Sequence, residues 1–175
     1  MRPTQIRVLM MRKSILIFFV CFSSCIQQQS KHVEIYGVSF DCPSGWKVSE
    51  TEDYETAKFI SIEKKGLTAS GLVTMTFTEE DFELDDFLQL LQDSFKEQHV
   101  LSNIVFQKSV ETNYGEYKGI GASYTFSISG VKHEGKIHVF QQNGITMGIV
   151  HQEAIEDHKE NLPGFETIMK SVSID

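Results

Sequence analysis

Arginine is absent from most of this chain. All three arginines, Arg2, Arg7 and Arg12, lie before residue 13, so of the 16 basic residues only 12 lysines remain in residues 25–175. All 24 acidic residues lie in that same part, which therefore carries a formal charge of about −12 (12 − 24). Phosphate recognition relies on basic faces and on the arginine fork, so the composition argues against nucleic acid as a partner.

Cysteine is scarce as well, with three in 175 residues. Cys21 and Cys25 belong to the targeting segment described below, which leaves Cys42 without a partner for an internal disulfide. We interpret Cys42 as a small buried hydrophobic residue beside Pro43, and a reactive thiol is the alternative.

No apolar run in the sequence is long enough to span a membrane. The run from Ile15 to Phe22 has eight residues, and eight residues of helix cover only about 12 Å of a hydrocarbon core that is about 30 Å thick. Because this run follows the positive segment 11–13, it is typical of a secretion signal. Residues 1–10 are interpreted as an upstream extension.

The apolar run ends in Phe22-Ser23-Ser24-Cys25, which resembles the lipobox of bacterial lipoproteins. In a lipobox, small residues precede a cysteine that is acylated and becomes the mature N-terminus. Phe22 departs from the usual Leu, whereas Ser23 and Ser24 fit the pattern. We therefore predict that Cys25 carries lipid and holds the protein to a membrane.

The lipobox prediction divides the chain into three parts. Residues 1–24 are the predicted signal peptide, residues 25–32 the lipidated cysteine with a flexible polar tether, and residues 33–175 one folded domain. An ordinary cleaved signal or an uncleaved anchor is the alternative. Ile26 is not the Asp that retains many lipoproteins in the inner membrane, so the resemblance implies the outer membrane, facing the periplasm.

Catalytic signatures are missing from the folded part. The chain has no Gly-x-Ser-x-Gly elbow and no His-Glu-x-x-His helix. Gly119-Ile120-Gly121 lacks the third glycine of a dinucleotide-binding loop, so we interpret it as close backbone packing within a strand. The sequence thus predicts no catalytic residue, no metal ligand and no cofactor; a hydrolase that uses Cys42, a serine or a histidine is the alternative.

Alternating apolar and polar residues predict a series of short strands. The strands are expected at residues 33–36, 38–42, 46–48, 58–63, 71–78, 105–110, 118–126, 136–140, 145–150 and 172–174. Glycines and Pro43 separate the early ones, as turns require.

One amphipathic helix is predicted from Leu84 to Gln98. Its apolar residues recur at helical spacing, and Leu91 and Phe95 are expected to face the sheet. Six acidic residues between Glu79 and Asp86 crowd its start, where the positive end of the helix dipole stabilises carboxylates. A calcium loop is the alternative, although its Asp-x-Asp-x-Asp-Gly spacing is absent.

Asn143-Gly144 predicts a two-residue hairpin between strands 136–140 and 145–150. Counting back from this turn places His138 opposite Ile149 and Lys136 opposite His151, so the two histidines are diagonal neighbours on one face. Two nitrogens beside a lysine make a poor zinc site, which favours surface or hydrogen-bonded histidines.

The same hairpin carries apolar residues on both faces. Phe140, Met147 and Ile149 fall on one face, and Ile137, Val139 and Val150 on the other. A sheet covered on both sides is therefore expected. A C-terminal helix from about residue 155, broken at Pro163, would supply the second cover.

Three segments resemble the PsbP-like domain family, which includes PsbP of photosystem II, the yeast Ran-binding Mog protein and bacterial lipoproteins such as DcrB. They are 40–46, ending in Pro-Ser-Gly-Trp, 115–124 and 165–172. The resemblance implies an α+β fold, an α/β/α sandwich whose mainly antiparallel sheet is covered by helices on both faces. Trp46 is interpreted as a core-capping aromatic, and an exposed partner anchor is the alternative.

The resemblance also implies action through protein contacts. We predict a non-enzymatic, membrane-anchored lipoprotein that binds or assists another cell-envelope protein, with no binding residue assigned. A carrier of a small apolar ligand is the alternative, which would need a sizeable apolar pocket.

Overall fold

The computed structural model of the protein describes residues 30–174. The predicted signal peptide, Cys25 and most of the tether lie outside the described residues. Neither helix within 30–174 is long and apolar enough to cross a membrane.

The described chain forms strands and two longer helices. The strands are β1 (Lys31–Ile35), β2 (Val38–Cys42), β3 (Trp46–Asp53), β4 (Lys58–Lys64), β5 (Leu72–Thr78), β6 (Leu101–Phe106), β7 (Val110–Tyr114), β8 (Tyr117–Ile128), β9 (Val131–Gln142), β10 (Ile145–Ala154) and β11 (Ser173–Ile174). Helix α1 is Leu84–Lys96, and α2 is His158–Ser171, preceded by a short 3-10 helix at Ile155–Asp157.

Most strands belong to one open sheet with the order β3-β4-β5-β10-β9-β8-β6, and β7 pairs with β8 beside β6. A small sheet has the order β1-β2-β11. Every recorded pairing is antiparallel. The predicted α+β class and mainly antiparallel sheet are thereby confirmed.

The central hairpin has the predicted register. Asn143 and Gly144 take positive φ angles of 52° and 79°, as a type I′ turn requires. Ile149 then pairs with His138, and His151 with Lys136. The predicted faces are also confirmed, because Phe140, Met147 and Ile149 share one buried cluster while Ile137, Val139 and Val150 share another.

Helix α1 joins the second of these clusters through Phe87, Leu88, Leu91 and Phe95. Leu91 and Phe95 are each 8% exposed, which confirms the predicted helix face. A side chain at Gly148 would collide with Leu91, so this glycine allows α1 to lie close to β10.

Helix α2 joins the first cluster through Phe165 and Ile168, together with residues of both sheets. The predicted break at Pro163 is wrong, since α2 continues through it. Proline removes a single helical hydrogen bond, to the carbonyl of Lys159, and Lys159 is exposed, so water can take that bond.

The predicted strand 105–110 is also wrong. Residues 107–109 separate β6 from β7, and the backbone N–H of Gln107 donates to the Ser123 carbonyl at 2.8 Å. Val105 and Val110 are 61% and 60% exposed. The alternation of apolar and polar residues predicted one strand here, but Val105 and Val110 lie on two different edge strands at the surface.

Candidate functional site

A cavity of about 530 Å³ lies between the first half of β9, the end of β10 and the start of α2. Its lining includes the side chains of His138, His151, Glu134, Glu153 and His158. Strand alternation places the first four on one face of the hairpin, and α2 brings His158 over them. We call this cavity the histidine cleft. Apolar side chains such as Phe165 and Met169 also line the cavity, but a purely apolar ligand would leave its charged and polar groups without partners.

The predicted pair of histidines lies half-buried in this cleft. The His138 and His151 ring centroids lie 6.0 Å apart, and His151 stacks on Phe165 at 4.8 Å. The Tyr114 hydroxyl and His151 Nε2 share a hydrogen bond of 3.0 Å. His151 is therefore hydrogen-bonded, which is one of the two predicted alternatives, and both side chains keep partial exposure.

Burial keeps both histidines neutral. It lowers the pKa of His138 to about 4, with a smaller contribution from the nearby charge of Lys136. It lowers the pKa of His151 to about 3, aided by His138 and Lys136. His138 Nδ1 is buried without a hydrogen-bond partner among the described residues.

The histidine cleft also holds a group that the sequence analysis missed. Glu134 and Glu153 pair directly across β9 and β10, an arrangement in which like charges repel. His158 Nδ1 lies 2.7 Å from Glu153 Oε1 and 3.3 Å from Glu134 Oε1. Hairpin counting could have found the two carboxylates, but His158 belongs to a helix whose position no local pattern gives.

Glu153 is the most confined of the three. It is 5% exposed, and its Oε2 atom is buried without a hydrogen-bond partner in residues 30–174. A buried carboxylate oxygen without a partner is costly. This atom marks the group as a candidate binding site.

A second surface lies at the opposite end of the sheet. Asp53 at the end of β3 and Tyr54 and Glu55 in the β3–β4 turn line a cavity of about 490 Å³ together with Glu79 and Glu80, which follow β5. We call these five residues the acidic platform. Tyr54 is 56% exposed, and the four carboxylate residues are also exposed.

Hydrogen bonds fix the loops of the acidic platform. The Thr78 hydroxyl donates to the Thr56 carbonyl at 2.6 Å and accepts from the Glu80 N–H at 3.0 Å. The Thr146 hydroxyl donates to the Glu80 carbonyl at 3.2 Å. These bonds position the backbone of the two loops, and none of the four carboxylates forms an ion pair within residues 30–174, although Lys58 also lines the cavity.

The acids of segment 79–86 therefore divide between two roles. Asp85 and Asp86 lie in the first turn of α1, as the dipole argument predicts. Glu79 and Glu80 precede the helix and belong to the acidic platform instead.

Cys42 and Trp46 are both buried, as predicted. Burial raises the pKa of the Cys42 thiol, which disfavours the reactive thiolate. Trp46 packs edge-on against Phe165 with ring centroids 5.3 Å apart, so it caps the core. Gly119 and Gly121 pack closely on β9, as expected: a side chain at Gly121 would meet the Ile137 carbonyl oxygen at 2.6 Å.

Comparisons with known proteins identify the fold. No family model and no curated sequence matches this chain. The cyanobacterial PsbP of Synechocystis is similar in structure with a TM-score of 0.54 and 11% identity, over 85% of this chain and 94% of that one. Yeast Ran-binding protein Mog1p gives a TM-score of 0.52 and 7% identity, over 84% of this chain and 96% of that one.

A third structure, from Bacteroides thetaiotaomicron, is similar with a TM-score of 0.53 and 12% identity. The match covers 86% of this chain but 49% of that one, so this chain spans about half its length. Identities this low show the fold alone, and the likeness to DcrB stays a prediction. The described domain therefore has the fold that PsbP and Mog1p share, which confirms the resemblance drawn from the sequence.

Proposed function

We propose that this protein is a non-enzymatic accessory protein of the cell envelope, anchored through lipid on Cys25 and facing the periplasm from the outer membrane. It acts by binding another envelope protein. The acidic platform is the contact surface, and the partner presents a basic segment to it.

The acidic platform carries this proposal because it combines charge, rigidity and aromatic surface. Its four carboxylate residues come from two loops that hydrogen bonds hold in place. Exposed Tyr54 offers a flat apolar ring for a lysine or arginine side chain. The net negative charge of the domain steers basic surfaces toward it.

Catalysis has little support among residues 30–174. The Cys42 thiol is buried and its pKa is raised, so it is a poor nucleophile. Ser123 and Thr125 line the histidine cleft, yet neither hydroxyl makes a hydrogen bond to a histidine or carboxylate there. A hydroxyl nucleophile needs such a base within reach.

The fold is compatible with this role. Mog1p, which has the same fold at 7% identity, is described as binding Ran, which is another protein. We further propose that the domain is an α/β/α sandwich, with α1 and α2 on opposite faces. The two separate clusters on either side of the central hairpin support this arrangement.

Crosslinked capture of the full chain from its own cells tests the contact surface. We expect one envelope protein to be captured by the wild type and to be lost when Glu55, Glu79 and Glu80 are all changed to Gln. The matched control changes three exposed acids outside the acidic platform, Glu97, Glu111 and Glu116, to Gln and should retain capture. Equal capture by both variants would reject the acidic platform, and turnover of a substrate by the purified protein would reject a non-enzymatic role.

The anchor has its own test. Cys25→Ala should abolish metabolic labelling with palmitate and release the protein from membranes, because acyl chains supply about 0.8 kcal/mol per buried methylene. Cys42→Ala is the matched control and should label normally. Unchanged labelling of Cys25→Ala would show that the predicted lipobox is wrong.

A further inference from the structure

Three potential metal ligands converge at the edge of the histidine cleft. One ligand atom each from Glu134, Glu153 and His158 lies within 4.8 Å of the other two. They come from β9, β10 and the first residue of α2, so the fold itself assembles them. This is the one such group among residues 30–174.

Two observations indicate that this group is incomplete without a cation. The two glutamates are opposed across neighbouring strands, where their charges repel. Glu153 Oε2 is buried without a partner, although the whole residue is only 5% exposed. The contact with His158 engages Glu153 Oε1 but leaves Oε2 unpaired.

We propose that Glu134, Glu153 and His158 form a binding site for a divalent transition-metal ion of the Zn²⁺ class. Zinc binds histidine nitrogen and carboxylate oxygen at about 2.0 to 2.2 Å, which places tetrahedral ligands about 3.3 Å apart. The Glu134–His158 separation of 3.3 Å already fits. The Glu153–His158 separation of 2.7 Å would lengthen slightly, and because Glu134 and His158 are partly exposed, their side chains can adjust to the ion.

The chemistry of the ligands sets the class of metal. An imidazole ligand favours zinc and its neighbours over Ca²⁺ and Mg²⁺, which prefer oxygen ligands alone. Three protein ligands leave a fourth position, which opens toward the histidine cleft. Water or a ligand atom of a bound molecule would complete the coordination there.

Calorimetric titration of the metal-stripped full chain in detergent with ZnCl₂ tests the site. We expect one Zn²⁺ per chain and a rise in Tm on saturation. His158→Gln and Glu134→Gln should each weaken Zn²⁺ binding on the order of 10- to 100-fold or more. Loss of a residue that only orients a metal ligand already weakens binding by that factor. Both residues are partly exposed, so these variants should fold; Glu153→Gln is the third variant.

Matched controls separate this site from incidental binding. His99→Gln and Glu116→Gln change exposed residues of the same types and should bind Zn²⁺ as the wild type does. Absence of Zn²⁺ binding by the wild type would overturn the proposal, as would unchanged affinity in His158→Gln. Equal competition by Ca²⁺ would overturn the assignment to the zinc class.

Discussion

Strand β10 connects the acidic platform with the histidine cleft. Both contain glutamates, but those of the acidic platform are exposed, whereas Glu153 of the histidine cleft is buried. Ile145, at its start, lines the cavity of the acidic platform, and Glu153, near its end, lines the histidine cleft. The eight residue steps between them span roughly 26 Å. Glu153 is buried and bonded to His158, whereas Glu79 and Glu80 are exposed.

The difference shows how burial changes what a charge can do. In the histidine cleft a carboxylate requires a partner at hydrogen-bond distance, because desolvation is costly there. At the acidic platform water solvates each carboxylate, so the charges act mainly through their summed field. This contrast is the basis for proposing an ion at one end and a basic protein surface at the other.

Two tyrosines give the sharpest test of this contrast. Tyr114, a core residue that is hydrogen-bonded to His151 of the histidine cleft, is 1% exposed, whereas Tyr54 in the acidic platform is 56% exposed. Tyr114→Ala should lower the free energy of unfolding by about 3 to 5 kcal/mol, through lost packing and a cavity. Tyr54→Ala should change it by less than about 0.5 kcal/mol. Urea denaturation measures both, and equal effects would contradict the contrast.

The next largest effect concerns pH. His138 and His151 have folded pKa values of about 4 and 3, both below about 6.5 in the unfolded chain. Between these values the unfolded chain binds more protons, so stability is full above pH 6.5 and falls as pH decreases. The loss from pH 7 to pH 5 should be on the order of 2 kcal/mol per histidine.

Denaturation at several pH values measures this dependence. His138→Gln should flatten the fall in stability with decreasing pH, because one of the two titrating groups is gone. His99→Gln is the control at an exposed histidine and should leave the slope unchanged. A wild-type stability that is constant from pH 7 to pH 5 would show that the cleft histidines are hydrated.

The smallest effect on stability is expected at the acidic platform. Changing Glu79 and Glu80 to Gln should shift the free energy of unfolding by no more than about 0.5 kcal/mol. The same change should slow association with a polylysine probe and weaken its dependence on salt. Stopped-flow mixing at low and high salt measures this, and an unaltered salt dependence would place the steering charge elsewhere.

Much of the fold could be predicted from sequence because the relevant signals are local. Asn143-Gly144 set the hairpin register, and that register placed His138 beside His151. Helical spacing placed Leu91 and Phe95 on the buried face of α1. The wrong predictions at Pro163 and at residues 107–109 have one cause. The local structure at both places depends on solvent exposure, which the local pattern of residues does not reveal.

The two candidate surfaces were less accessible to sequence reasoning. The acids of segment 79–86 were all assigned to the helix dipole, because their proximity to the β3–β4 turn depends on strand pairing far along the chain. His158 was passed over since it lies at the start of a helix with no motif around it. In both cases the partners are distant in sequence.

The amino-acid sequence by itself determined the strand and helix types, the central hairpin register, the buried faces and the acidic character of the domain. These follow from periodicity, turn chemistry and charge, which act between near neighbours. Only the tertiary structure decided that His138 and His151 are half-buried, that Glu153 Oε2 has no hydrogen-bond partner within residues 30–174, and that α2 carries His158 to the two glutamates. Those features depend on how α2 packs against the sheet, and the free energy of that packing is shared among many distant side chains.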